Sequence, residues 1–137
     1  MKSWLSRAFA AFAIGVAALV AVPAMAQEIA CRSTALYDAS TNGSTKLITG
    51  LSTQQVRICG FNFWAAGTTT VKLVTGTGTN CGTGEAALTP AYSLTTQTGI
   101  PDSSSGWRGM LADRGLDVCI KTSAGVAVQA QIYYVQN

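Results

Sequence analysis

Two runs rich in β-branched and aromatic residues, 56–64 and 69–77, flank Ala65-Ala66-Gly67, and their side chains alternate with a period of two. A three-residue turn at 65–67 sets Cys59 opposite Leu73, Phe61 opposite Val71 and Phe63 opposite Thr69. Cys59, Phe61, Phe63, Val71 and Leu73 then share one apolar side. The other side carries Val56, Ile58, Asn62, Trp64, Thr70, Lys72 and Val74, a mixture that burial explains only in part. A helix cannot put a period-two pattern on one face, so this stretch restricts the chain to a β architecture.

Residues 116–136 repeat the pattern. With Ser123-Ala124-Gly125 as the turn and Gly125 left-handed, Ile120 faces Val128, Val118 faces Ala130 and Leu116 faces Ile132. Asp117, Cys119, Lys121, Gln129, Gln131 and Tyr133 are left outside. Further short runs at 29–37, 46–49, 91–98 and 107–112 bring the strand count to eight, and no segment sustains a 3.6-residue apolar period. Eight short antiparallel strands predict an all-β sandwich of jelly-roll type. Asn42-Gly43 reads as a tight turn, 84–88 as one helical turn stopped by Pro90, and 100–106 as a polar surface loop.

The first 26 residues stand apart from this domain. Lys2 and Arg7 form a basic head, residues 8–22 are apolar apart from Gly15, and Ala24-Met25-Ala26 is a small-x-small site before Gln27. This is the pattern of a secretory signal peptide, which divides the chain into a leader, 1–26, and one domain, 27–137. The apolar run falls short of the ~20 residues a spanning helix needs, so the expectation is a secreted or periplasmic protein with no membrane segment after cleavage. Cys31, Cys59, Cys81 and Cys119 all lie in the exported portion, an even number in a compartment where disulfides form. Their spacing contains no close pair of the kind that holds zinc. In the hairpin register Cys81 lies roughly 25 Å along the strand from the partner of Cys59, and Cys119 points away from the side Cys59 is on. Cys31 with Cys59 and Cys81 with Cys119 is the preferred pairing, although spacing alone does not determine connectivity.

Losing Lys2 and Arg7 leaves seven basic against six acidic residues, with the basic ones scattered, so no nucleic-acid footprint is present. The chain contains no histidine, which removes Ser-His-Asp and Cys-His catalysis. Acid–base chemistry would have to rest on paired carboxylates among Glu28, Asp38, Glu85, Asp102, Asp113 and Asp117, each expected at a turn, a strand end or an outer face. The glycine-rich run 76–84 lacks the Gly-Lys-Ser/Thr ending and following helix of a phosphate loop. A non-enzymatic protein without cofactor or metal is therefore expected. Among the aromatics, Trp64, Trp107, Tyr92, Tyr133 and Tyr134 could stack on a sugar or form an interface, with packing in or over the core as the ordinary alternative for each. Trp64, Lys72, Trp107 and Tyr133 are the candidate binding residues.

The segments Val-Arg-Ile-Cys-Gly-Phe at 56–61, Gly-Thr-Gly-Thr-Asn-Cys-Gly-Thr-Gly at 76–84, Leu-Thr-Pro-Ala at 88–91 and the final Val-Cys-Ile and Ser-Ala-Gly-Val-Ala-Val-Gln segments add a resemblance. The chain resembles small exported β-rich proteins of bacterial and tailed-phage genomes that mostly lack an assigned function. The resemblance implies a secreted β domain at a cell or virion surface and carries no catalytic residues. The expected function is surface decoration, adhesion, or recognition of a surface glycan or protein, with a second copy of the chain as a further partner. The alternative is a periplasmic inhibitor of a secreted hydrolase, plugging an active site with the loop from Pro101 to Trp107.

Overall fold

The computed structural model describes residues 31–95, 98–100 and 110–137, with 98–100 described as backbone. Within them lie β1 (Ser33–Ala39), β2 (Gly43–Ile48), β3 (Val56–Ala65), β4 (Thr69–Thr77), β5 (Thr83–Ala87), β6 (Tyr92–Leu94), β7 (Thr98–Ile100), β8 (Met110–Ala112), β9 (Asp117–Thr122) and β10 (Val128–Gln136). They form two five-stranded sheets. Sheet A runs β1-β10-β3-β7, with β8 also on β3; sheet B runs β2-β9-β4-β5, with β6 also on β4. Every pairing is antiparallel.

The order of pairing identifies the architecture. β5 and β6 both lie along β4, and β7 and β8 both lie along β3, so each couple takes the place of one broken strand. Counted so, the chain has eight strand positions that pair first with last, second with seventh, third with sixth and fourth with fifth. A long antiparallel hairpin rolled up on itself gives that nesting, and it makes the sandwich a jelly roll.

This topology corrects the two hairpins expected from sequence. β3 and β4 lie in different sheets, as do β9 and β10, so each couple is an arch across the sandwich. Phe63 pairs with Ala130 and Phe61 with Ile132; Leu73 pairs with Ile120 and Val71 with Thr122. The two arches stack instead of closing on themselves. The Ala66 amide donates to the Ala127 carbonyl at 2.9 Å, and the Thr70 amide to Ser123 Oγ at 2.9 Å. Gly125 is not left-handed; among the described residues the positive-φ glycines are Gly43, Gly78, Gly84 and Gly115. Asn42-Gly43 likewise turns between sheets, with Gly43 at φ 109°.

The core fills the space between the sheets, with Phe63, Ile58, Leu73, Leu94, Ile120 and Ile132 its largest fully buried side chains. Phe61 and Phe63 stack at 4.5 Å between ring centroids, and Tyr92 tilts against both at 5.6 and 6.0 Å. A bulge at Cys59 alters the face expected for β3. Tyr133 pairs with Gly60 but Tyr134 with Ile58, so Cys59 is the extra residue and the alternation shifts there. Val56 and Ile58 consequently point inward along with Phe61, Phe63 and Ala65, while Cys59 does not join the apolar side.

A second, smaller core lies on the outer side of sheet B, where Val74, Cys81 and Cys119 are completely buried. Its lid is a single 3-10 turn, Thr79–Cys81, with Asn80 and Cys81 left-handed at φ 51° and 59°. Asn80 Oδ1 accepts from the Lys46 amide at 3.2 Å. An added Cβ at Gly76 would come 2.8 Å from the Cys81 carbonyl oxygen, so only glycine lets the lid lie this close. The segment expected as a helical turn, 84–88, is largely β5 on the edge of β4: Cys81 anchors the chain beside that edge, and strand pairing there satisfies its backbone.

Cys31 is bonded to Cys59 and Cys81 to Cys119, each pair with Cα atoms 6.2 Å apart. These are the pairs preferred from sequence, although the hairpin register used to select them does not exist. Cys31 precedes β1 and Cys59 lies in β3, with β10 between these strands, so this bridge straps the outer side of sheet A. Two disulfides fit an oxidising compartment, extracellular or periplasmic. No helix among the described residues is long and apolar enough to cross a membrane.

Candidate functional site

The sandwich has two outer faces of opposite character. On sheet B, Lys121 Nζ lies 2.7 Å from Glu85 Oε2 and Lys72 Nζ 3.6 Å from Glu85 Oε1. Lys46 Nζ lies 3.2 Å from Asp117 Oδ2, and Asp117 Oδ1 accepts from the Gly50 amide at 2.9 Å. Hydrogen bonding from Lys121 holds the Glu85 carboxyl below its ordinary range against the opposing effect of desolvation, and the charges of Lys121 and Lys72 add to the lowering. This face is a lattice of paired charges around the second disulfide.

Sheet A presents a different surface. The registers of β1, β10 and β3 align Thr34, Tyr133 and Gly60 in one row; Leu36, Gln131 and Asn62 in the next; and Asp38, Gln129 and Trp64 in a third. Leu36 is 74% exposed, Trp64 38% and Tyr133 36%. Trp64 is also opposite Gly99, which has no side chain to crowd the indole on that flank. Gln129 Nε2 donates to Asp38 Oδ2 at 3.2 Å. Asp38 is the only charged residue of these rows; Arg57 lies further along β3, opposite Leu111 and past the bulge. An aromatic and amide surface whose charges are Asp38 within the rows and Arg57 and the exposed Arg32 at one end can receive flat, hydroxyl-bearing or weakly polar ligands by stacking and hydrogen bonding.

Of the candidate binding residues, the structure brings Trp64 and Tyr133 onto this one face. Lys72 lies on the outer side of sheet B, bound to Glu85, because the arch carries β4 to the other sheet. The joint surface of Ile58, Trp64, Lys72 and Val74 expected from the hairpin is therefore broken up: Ile58 is in the main core and Val74 in the second. Trp107 and the loop 101–107 lie outside the described residues. Tyr92 and Tyr134 pack against the core. Asn62 and Gln131 are expected on outward sides of two separate hairpins, and the structure joins them in one row with Leu36, which the sequence does not single out; the alternation of Thr34, Leu36 and Asp38 along β1 carries that signal only with β1 placed beside β10.

The chain matches no family model, no curated protein and no solved structure.

Proposed function

We propose that this is an exported, non-enzymatic recognition module that decorates a cell or virion surface by binding an uncharged glycan through the outer face of sheet A. The observation that carries this reading is the segregation of surface chemistry. Trp64 and Tyr133 offer ring faces, and Gln129, Gln131, Asn62 and Thr34 offer amides and a hydroxyl, while the lysine–carboxylate pairs lie on the opposite sheet. Sugar rings expose C–H faces that stack on indole and phenol rings, and their hydroxyls exchange hydrogen bonds with amides. Three of the candidate carboxylates also support a non-catalytic reading, since Glu85 and Asp117 are each held against lysine and Asp38 against Gln129, while Glu28 and Asp102 lie outside the described residues.

The test is a glycan array together with pull-down on whole cells and particles, using the processed protein. Binding is expected to survive protease treatment of the surface and to be lost after periodate oxidation of its sugars. Trp64→Ala, a change at an exposed position, is expected to leave the fold intact and weaken binding about tenfold or more. Retention after periodate with loss after protease would replace the glycan by a protein ligand, and no retention on any surface would overturn the reading.

A further inference from the structure

Sheet A ends in strand β1 on one side and in β7 and β8 on the other, and among the described residues β1 pairs with β10 alone. Exposed edges expose unpaired backbone N–H and C=O groups, and proteins guard them with lysine, proline, bulges or covering loops. The edge of sheet B is guarded: β2 carries Lys46 and a register irregularity between Lys46 and Ile48. β1 is not. Its sequence, Ser-Thr-Ala-Leu-Tyr-Asp-Ala, has no proline and no basic residue, and its pairing to β10 runs through all seven positions without a bulge. At its centre stands Leu36, the most exposed large apolar side chain among the described residues.

The strand is also complementary to itself. If a second β1 runs antiparallel about a two-fold axis at Leu36, Ser33 meets Ala39, Thr34 meets Asp38 and Ala35 meets Tyr37 of the other copy. On the outer face this joins the two Leu36 side chains and places each Thr34 hydroxyl opposite a carboxylate able to accept its hydrogen bond. No like charges face each other, and the pairing uses the whole strand. A two-fold contact requires one patch to complement itself, which this strand does.

We infer that two copies of this chain associate edge to edge through β1, in the antiparallel register centred on Leu36, to make one continuous ten-stranded sheet from the two sheets A. This does not depend on what the outer face binds. If that face does bind a ligand, the dimer puts two Trp64 residues on one platform. Five strand spacings and four residues of stagger separate them by roughly 27 Å, a geometry suited to bivalent attachment.

Sedimentation equilibrium across the micromolar to millimolar range tests the association. The wild type is expected to move from one chain mass towards two, Leu36→Lys to stay at one, and Leu51→Lys, at an exposed leucine away from the edge, to follow the wild type. Cysteine cross-linking tests the register. The two Leu36 Cα atoms would lie about 4.5–5.5 Å apart, within disulfide reach, so Leu36→Cys is expected to give a covalent dimer under mild oxidation. Thr34→Cys, with its Cα atoms roughly 14 Å apart in the same register, is expected not to. A wild type that stays monomeric throughout overturns the inference, as does a dimer that survives Leu36→Lys. Cross-linking of Thr34→Cys as readily as Leu36→Cys overturns the register.

Discussion

Asp117 and Glu85 show how the same residue type is used differently by its surroundings. Asp117 is almost fully buried and accepts from both the Lys46 ammonium and the Gly50 amide, tying the segment after β2 to the start of β9. An added Cβ at Gly50 would run into the Leu116 carbonyl, so glycine is needed where these segments meet. Glu85 is more exposed and takes its partners from β9 and β4. Its carboxyl is lowered from the ordinary value of 4.5 when folded. The unfolded chain therefore binds the proton more readily, and stability rises with pH through this window. The Glu85 contribution is expected to be present above that value and to fade as pH falls through the folded one. Urea midpoints measured at roughly pH 3 and pH 6 should differ less in Glu85→Gln than in the wild type, and added salt should shrink the difference because the pair is exposed.

The elements divide the two disulfides into different tasks. Cys31–Cys59 straps the segment before β1 across β10 to β3, while Cys81–Cys119 pins the 3-10 lid onto sheet B and completes the second core. Replacing Cys81 and Cys119 together by alanine is expected to cost about 2–4 kcal/mol of stability, read from urea unfolding. Amide exchange should accelerate in 78–84, with the β1·β10 pairing little changed near neutral pH; equal acceleration in both places would show that the lid is not a separate unit. Much of this scale was legible in advance. The inward set Phe61, Phe63, Val71 and Leu73 is buried, because side chains of one arch facing each other across a core obey the same alternation as neighbours in one hairpin. Alternation therefore separates inside from outside but does not tell an arch from a hairpin. The bulge at Cys59 was illegible for a related reason: an extra residue is visible only against the strand it fails to match.

For the whole molecule, the nested pairing makes the last strand the keystone of sheet A. β10 separates β1 from β3 and contributes Val128, Ala130 and Ile132 to the core. A chain ending after residue 127 is expected to lose the whole fold and not just one edge, giving no cooperative urea transition by circular dichroism; a sharp remaining transition would show that the sandwich holds together without it. The composition and alternation of the sequence by themselves determined an all-β chain, most of its strands and most of its inward residues, because these follow from local periodicity and turn chemistry; β5, on the edge of β4, was not among them. Tertiary structure decided which strands are neighbours, and with that the separation of Trp64 from Lys72 onto opposite faces, the gathering of Leu36 and Tyr133 beside Trp64, and the place of β1 at one end of sheet A. Those depend on contacts between β1, β3 and β10, which lie far apart in the chain and have no local signal.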